Sequence, residues 1–248
     1  MATTTATSPV SLVGLLLAGL LLGGPAWPAS RVTMQPYGGT DALRGLETPP
    51  TVTESRRLDP ATGYLKVSAL TMRTPGEVSR ALLQLGRVQH LILDLRGNGG
   101  GRLDAARDVA ELFVPAERLL YRERDGQGER KVRSRGPAWD RLPTLLVLID
   151  RGTASAAEVL AGALQQAALA RLVGTRSAGK GTIHTADPQA DGRVRWRATG
   201  EVWLPDGTPI TGRGLTPEAP AGLGLQRLLA GAARRGCDAP VGSVSGRC

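Results

Sequence analysis

"PTLLVLIDRGTASAAEVLAGALQQAALARLVGTR", residues 143–176, decides the fold. Its first part is an unbroken apolar run, Leu145-Leu146-Val147-Leu148-Ile149, the mark of a strand covered on both faces. Asp-Arg-Gly then breaks the run, and an alanine-rich segment restarts as a helix. "ARLVGTR" follows as a second buried strand. Strand, helix and strand in this order, each short, form a βαβ unit with parallel strands. A lone serine, Ser155, stands in the first turn of the helix. It has two readings. Ser and Thr commonly cap helix starts, and a hydroxyl beside unpaired helix N–H groups can also serve as a nucleophile next to oxyanion donors.

The same alternation extends outward. "YLKVSAL" alternates as a strand, and "TPGEVSRALLQLG" reads as a helix opened by Pro75 and closed by Gly86. "HLILDLRG" is a buried strand, and "RLDAARDVAELFVP" is amphipathic at helical spacing. "LLYRERDGQGERKVRSR" reads as a hairpin about Asp125-Gly126, and "KGTIHTA" with "RVRWRATGEVWLP" as late strands before a turn at Asp206-Gly207. The expected fold is therefore an α/β domain over residues 61–220 with a mostly parallel core and an antiparallel portion late in the chain. Arg31 to Pro60 is Pro-, Thr- and Gly-rich, so residues 30–60 read as a linker or irregular arm. Residues 221–248 read as a C-terminal helix and a flexible tail.

Composition narrows the function classes. The chain has 248 residues, 41% hydrophobic and only 3% aromatic, so its core is built from Leu, Val, Ile and Ala. A mean hydropathy of −0.11 fits a globular protein. The net charge of +9 would admit nucleic acid, but the positive charge is almost all scattered arginine, with no dense basic run and few aromatics to stack bases. No nucleic-acid partner is expected. Pro9 to Gly24 is apolar and is followed by Pro and small residues up to Ala29. This suits an export signal over residues 1–29, or a membrane anchor through residues 9–24, and implies a periplasmic or cell-envelope location. Cys237 and Cys248 lie together in the tail, far from His90 and His184, so no metal site is expected from them.

"HLILDLRGNGGGRLDAA" invites a dinucleotide reading, but Arg102 stands where G-x-G-x-x-G needs its last glycine, and "GKGT" at Lys180 precedes a strand rather than a helix. What remains is a loop whose backbone amides no side chain obstructs, suited to an oxyanion. Lys180, bracketed by glycines, lies one helix and one strand beyond Ser155. Parallel neighbours bring their C-terminal ends to one edge, so the two residues can face each other. A lysine accepts a serine proton only when neutral, so an apolar, desolvated setting is expected around it.

Five motifs in order, "YLKVSAL", "LILDLRGNGGG", "VLIDRGTASAAEVLAGAL", "LVGTRSAGKGT" and "WLPDGTPITGRGLTPE", resemble the C-terminal processing (tail-specific) peptidases, which are Ser/Lys endopeptidases. The resemblance covers about Gly63 to Glu218. It implies a ClpP/crotonase-like layered βα-repeat core with additional antiparallel strands, protein or peptide substrates, and no cofactor. It makes Ser155 the nucleophile and Lys180 the general base, with the Ala156 amide and that of Gly100 or Gly101 as the oxyanion hole. His184 stands where the family usually has a glutamine that orients the lysine. In a strand, Lys180, Thr182 and His184 would share a face. Too few residues precede Gly63 for the family's usual PDZ domain, so substrate is expected to dock directly or through an adaptor. The competing reading is a binding or scaffold protein that kept the fold and lost efficient catalysis. Asp94 and Arg96 are expected to hold the glycine turn, Glu158 to support the helix start, and His90 to be structural.

Overall fold

The apolar runs become the centre of a five-stranded sheet. A computed structural model describes residues 49–136, 143–189 and 191–220; residues 1–29, the tail and its two cysteines lie outside the described residues. Along the chain come β1 (Val52–Arg57), β2 (Thr62–Val67), α1 (Thr74–Leu85), β3 (His90–Asp94), α2 (Leu103–Ala110), β4 (Leu119–Asp125) and β5 (Gly128–Arg133). Then follow β6 (Thr144–Ile149), α3 (Ala156–Gln166), β7 (Ala170–Gly174), β8 (Thr182–Pro188) and β9 (Val194–Trp203).

The first sheet has the order β1-β2-β3-β6-β7, and β2 through β7 are parallel. The order advances in one direction, so right-handed crossovers place α1, α2 and α3 on one face. There α2 packs against both other helices. Alternation along the strands sorts the core. Leu91, Leu93, Leu145, Val147, Ile149 and Leu172 point to the helices, whereas Ile92, Leu146 and Val173 point to the opposite face with Ala219. Each such leucine, fully buried, is worth about 1.5–3 kcal/mol.

A second, wholly antiparallel sheet has the order β5-β4-β9-β8. Two expectations change here. The antiparallel part is not confined to the end of the chain, because the β4–β5 hairpin joins the late strands through β4 and β9. And residues 52–57, inside the stretch expected to be irregular, form β1, whose Val52 pairs with Val67 at the antiparallel edge. Its charged residues, the half-buried Glu54 and the exposed Arg56 and Arg57, hid the strand from any apolar pattern; pairing with β2 supplies what the sequence lacks.

Candidate active site

Three loops meet at the C-terminal edge of the parallel sheet, following β3, β6 and β7. The first, Leu95 to Arg102, is fixed at both ends. Asp94 is fully buried, and it receives the Arg96 guanidinium through both of its oxygens and the Tyr64 hydroxyl at 2.7 Å. Burial alone would raise the Asp94 pKa, but the Arg96 and Tyr64 hydrogen bonds prevail and hold it below the usual carboxylate range. Tyr64 shows the counterpart, pushed up to about 12 by its own burial and by Asp94. Asp94 and Arg96 thus hold the glycine turn, as expected. Further on, the fully buried Asn98 donates to the Val67 carbonyl at 3.0 Å and accepts from the Gly100 amide at 2.9 Å.

The second loop is laced to the first. Asp150 Oδ1 accepts from the amides of Gly97, Gly152 and Thr153. The Thr153 hydroxyl donates to the Leu95 carbonyl at 2.8 Å, and the Ala154 amide to the Asn98 carbonyl at 2.9 Å. These bonds deliver Ser155 to the start of α3 in a strained conformation, φ 56° and ψ −126°. A non-glycine residue held there costs about 1–3 kcal/mol and persists only where its surroundings fix it. Ser155 and Glu158 stand in capping-box positions. In the Glu158 half of the box the Ser155 amide donates to Oε2 at 3.0 Å, and in the other half the Ser155 side chain faces the Glu158 amide.

The third loop arrives through the same carboxylate. Glu158 is completely buried and each oxygen accepts twice: Oε1 from the Ser177 hydroxyl at 2.6 Å and the Gly179 amide at 2.8 Å, Oε2 from the Ser155 amide and from the Lys180 amide at 2.8 Å. The backbone nitrogens of Ser155 and Lys180 share one oxygen, so they can be no farther apart than the sum of its two hydrogen bonds. Glu158, expected only to support the helix start, thus joins the two candidate catalytic residues. The S-x-x-E spacing was its sequence signal; that the same carboxylate reaches the Lys180 loop had none.

The remaining candidates sort as follows. Gly100 lies against the serine: a Cβ built on it would come within 2.9 Å of Ser155 Cβ and 3.0 Å of the Ala156 nitrogen. Its own amide is occupied by Asn98. The Gly101 amide has no acceptor among the described residues, nor does that of Ala156. Leu70 bridges to Gly101 in parallel, bonding Gly100 on one side and Arg102 on the other, so the Gly101 amide points away from Leu70. Lys180 differs from expectation, since its side chain is exposed. The glycines around it do pack tightly, with Cβ positions that would fall 3.0 Å from Gly214 N and 2.9 Å from Thr211 N. They anchor the main chain and leave the side chain in solvent. Among the described residues no hydrogen bond joins Lys180 Nζ to Ser155 Oγ. His184 is also exposed and makes no hydrogen bond with Lys180. β8 begins at Thr182, after Lys180, and the β8–β9 register slips between Ile183 and His184. The shared strand face expected for Lys180, Thr182 and His184 therefore does not extend back to Lys180. His90, at the far, N-terminal end of β3, has a buried Nδ1 with no hydrogen-bond partner among the described residues.

A serine at a strained helix start thus lies against a glycine loop, and one carboxylate ties it to the lysine loop. The model of peptidase family S41 matches residues 61–221. The chain belongs to that family. It is 41% identical over 133 residues to the carboxyl-terminal-processing protease of Synechocystis sp., a match covering 52% of this chain and 31% of that protein. With the carboxy-terminal processing protease CtpB of Bacillus subtilis it shares 32% identity over 158 residues, 62% of this chain and 33% of the relative. Among solved structures, the photosystem II D1 C-terminal processing protease superposes with a TM-score of 0.59 at 33% identity, over 66% of this chain and 44% of that one. This S41 chain spans about a third of the length of the curated relatives it matches.

Proposed function

We propose that this S41 chain is an exported serine endopeptidase of the C-terminal processing type that cleaves protein substrates through a Ser155/Lys180 acyl-enzyme. The observation that carries the reading is the buried Glu158 carboxylate holding the amides of both residues on one oxygen. In the reaction, neutral Lys180 Nζ takes the proton of Ser155 Oγ as the oxygen attacks the peptide carbonyl carbon. The oxyanion of the tetrahedral intermediate is received by the Ala156 and Gly101 amides; Gly100, whose amide is committed to Asn98, supplies close approach instead. Lys180 returns the proton to the departing amine, and water then releases the acyl group. Because Lys180 is exposed in the free chain, a bound polypeptide has to cover it and strip its water. His184 takes no step in this scheme. Residues 1–29 would direct export.

The test is to incubate the full chain and its Ser155→Ala variant with an unfolded protein mixture and map fragments by mass spectrometry. Fragments that vanish with Ser155→Ala support the peptidase, and their termini define its specificity. Cleavage that persists in the variant, or none by either chain, refutes it.

A further inference from the structure

Of the four donors that saturate Glu158, three are main-chain amides, which only a proline would remove. The fourth is the hydroxyl of Ser177, itself buried in the loop between β7 and β8. Its proton has a fixed direction. The Leu215 amide donates to Ser177 Oγ at 2.6 Å, so the hydroxyl accepts there and donates to Glu158. The Ser177 amide completes the link by donating to the Leu215 carbonyl at 3.2 Å, and a Cβ on Gly214 would fall 2.6 Å from the Ser177 carbonyl oxygen. The Gly212 amide also donates to the Gly179 carbonyl at 3.0 Å. The segment from Thr211 to Leu215 therefore backs the lysine loop along its length.

We infer that Ser177 is a positioning residue for the reaction proposed above. Through Glu158 it sets the spacing of Ser155 and Lys180, and through Leu215 it makes that spacing depend on the 211–215 segment. The inference rests on the Ser155/Lys180 reading. A hydrogen bond to a buried charged group is among the strong ones in proteins, and its loss leaves both Glu158 and the Leu215 amide short of a partner. It acts on the geometry of the reacting groups and not on substrate contacts, so it moves kcat and not KM.

The experiment is a double-mutant cycle in the full chain, with Ser177→Ala, Glu158→Gln and their combination assayed on fluorescein-labelled casein. Ser177→Ala is expected to lower kcat about 10–100-fold with KM within about twofold of wild type. In the Glu158→Gln background it is expected to cost less than about twofold more. A kcat within twofold of wild type, or full additivity, overturns the inference. If Ser177→Ala does not fold, Ser177→Cys, which keeps the shape and a weak donor, must give a reduced kcat at an unchanged melting temperature. If wild type itself shows no Ser155-dependent cleavage, the peptidase reading fails separately. Ser177 is then judged by amide hydrogen exchange: at least about tenfold faster exchange at Gly179 and Lys180 in the variant supports it, and unchanged exchange overturns it.

Discussion

Replacing Gly100 by alanine tests whether the glycine loop exists to bring backbone against the nucleophile. Gly100 has φ +96°, and its added Cβ would lie 2.6 Å from the Ala154 carbonyl oxygen and 2.9 Å from Ser155 Cβ. Backbone strain alone costs about 1–3 kcal/mol at such a φ. Real Cβ atoms do not approach backbone oxygen so closely, so the serine turn must also shift. Together we expect a loss of about 2–4 kcal/mol, a fall in melting temperature of roughly 5–15 °C for a chain of this size. A displacement of Ser155 by about 1 Å lowers catalysis on the order of 100-fold. Gly97 is the internal control. It also has positive φ, +72°, but a Cβ there meets nothing within 4 Å. Gly97→Ala should cost about 1 kcal/mol of strain and leave the rate of Ser155 labelling by a fluorophosphonate within about threefold of wild type, a near-neutral effect on transition-state stabilisation. Thermal melts and labelling rates on both variants decide the matter. Labelling of Gly100→Ala at the wild-type rate, or equal damage from Gly97→Ala, would falsify the reasoning.

Glu158→Gln exchanges one acceptor oxygen for an NH2 group that faces donors; we expect a loss of about 3 kcal/mol in urea unfolding and at least a 100-fold drop in cleavage rate. Lys180→Arg keeps the charge but cannot serve as a base, so cleavage should vanish at an unchanged melting temperature, because the side chain is exposed. For Asp94, whose folded-state pKa lies below the ordinary 3.8, the stabilisation is fully present above that value and is lost as the pH falls through the lower folded one. The stability gap between wild type and Asp94→Asn should thus be open at about pH 6 and narrow below about pH 4; a gap independent of pH would remove the argument. His184→Gln should leave the pH–activity profile in place, and a shift near neutrality would restore His184 to the site.

Much of the parallel core was legible because its strands are apolar on both faces and its helices carry their own start and stop residues. Pro75 opens α1 and Gly86 closes it, as the sequence implied. β1 was not legible, because an edge strand with three charged residues among six has no hydrophobic pattern and takes its structure from β2. That the main chains of Ser155 and Lys180 meet was legible, from spacing and from resemblance. The setting of Lys180 was not: flanking glycines signal that the chain packs closely, and they do not say whether its main chain or its side chain does. Glu158 was half legible. Its place in the first turn of α3 suggested a cap, but its remaining three partners belong to a loop joined to it only by the tertiary fold.

Glu158 binds the amides of Ser155 and Lys180 and neither of their side chains. The carboxylate is therefore indifferent to what those side chains are. Ser155→Ala or Lys180→Ala should abolish turnover while the frame around the missing group stays undisturbed. Under the proposed reading such inert chains would be baits: they keep the frame around the missing group, cannot release a bound polypeptide as products, and so allow it to be captured and named.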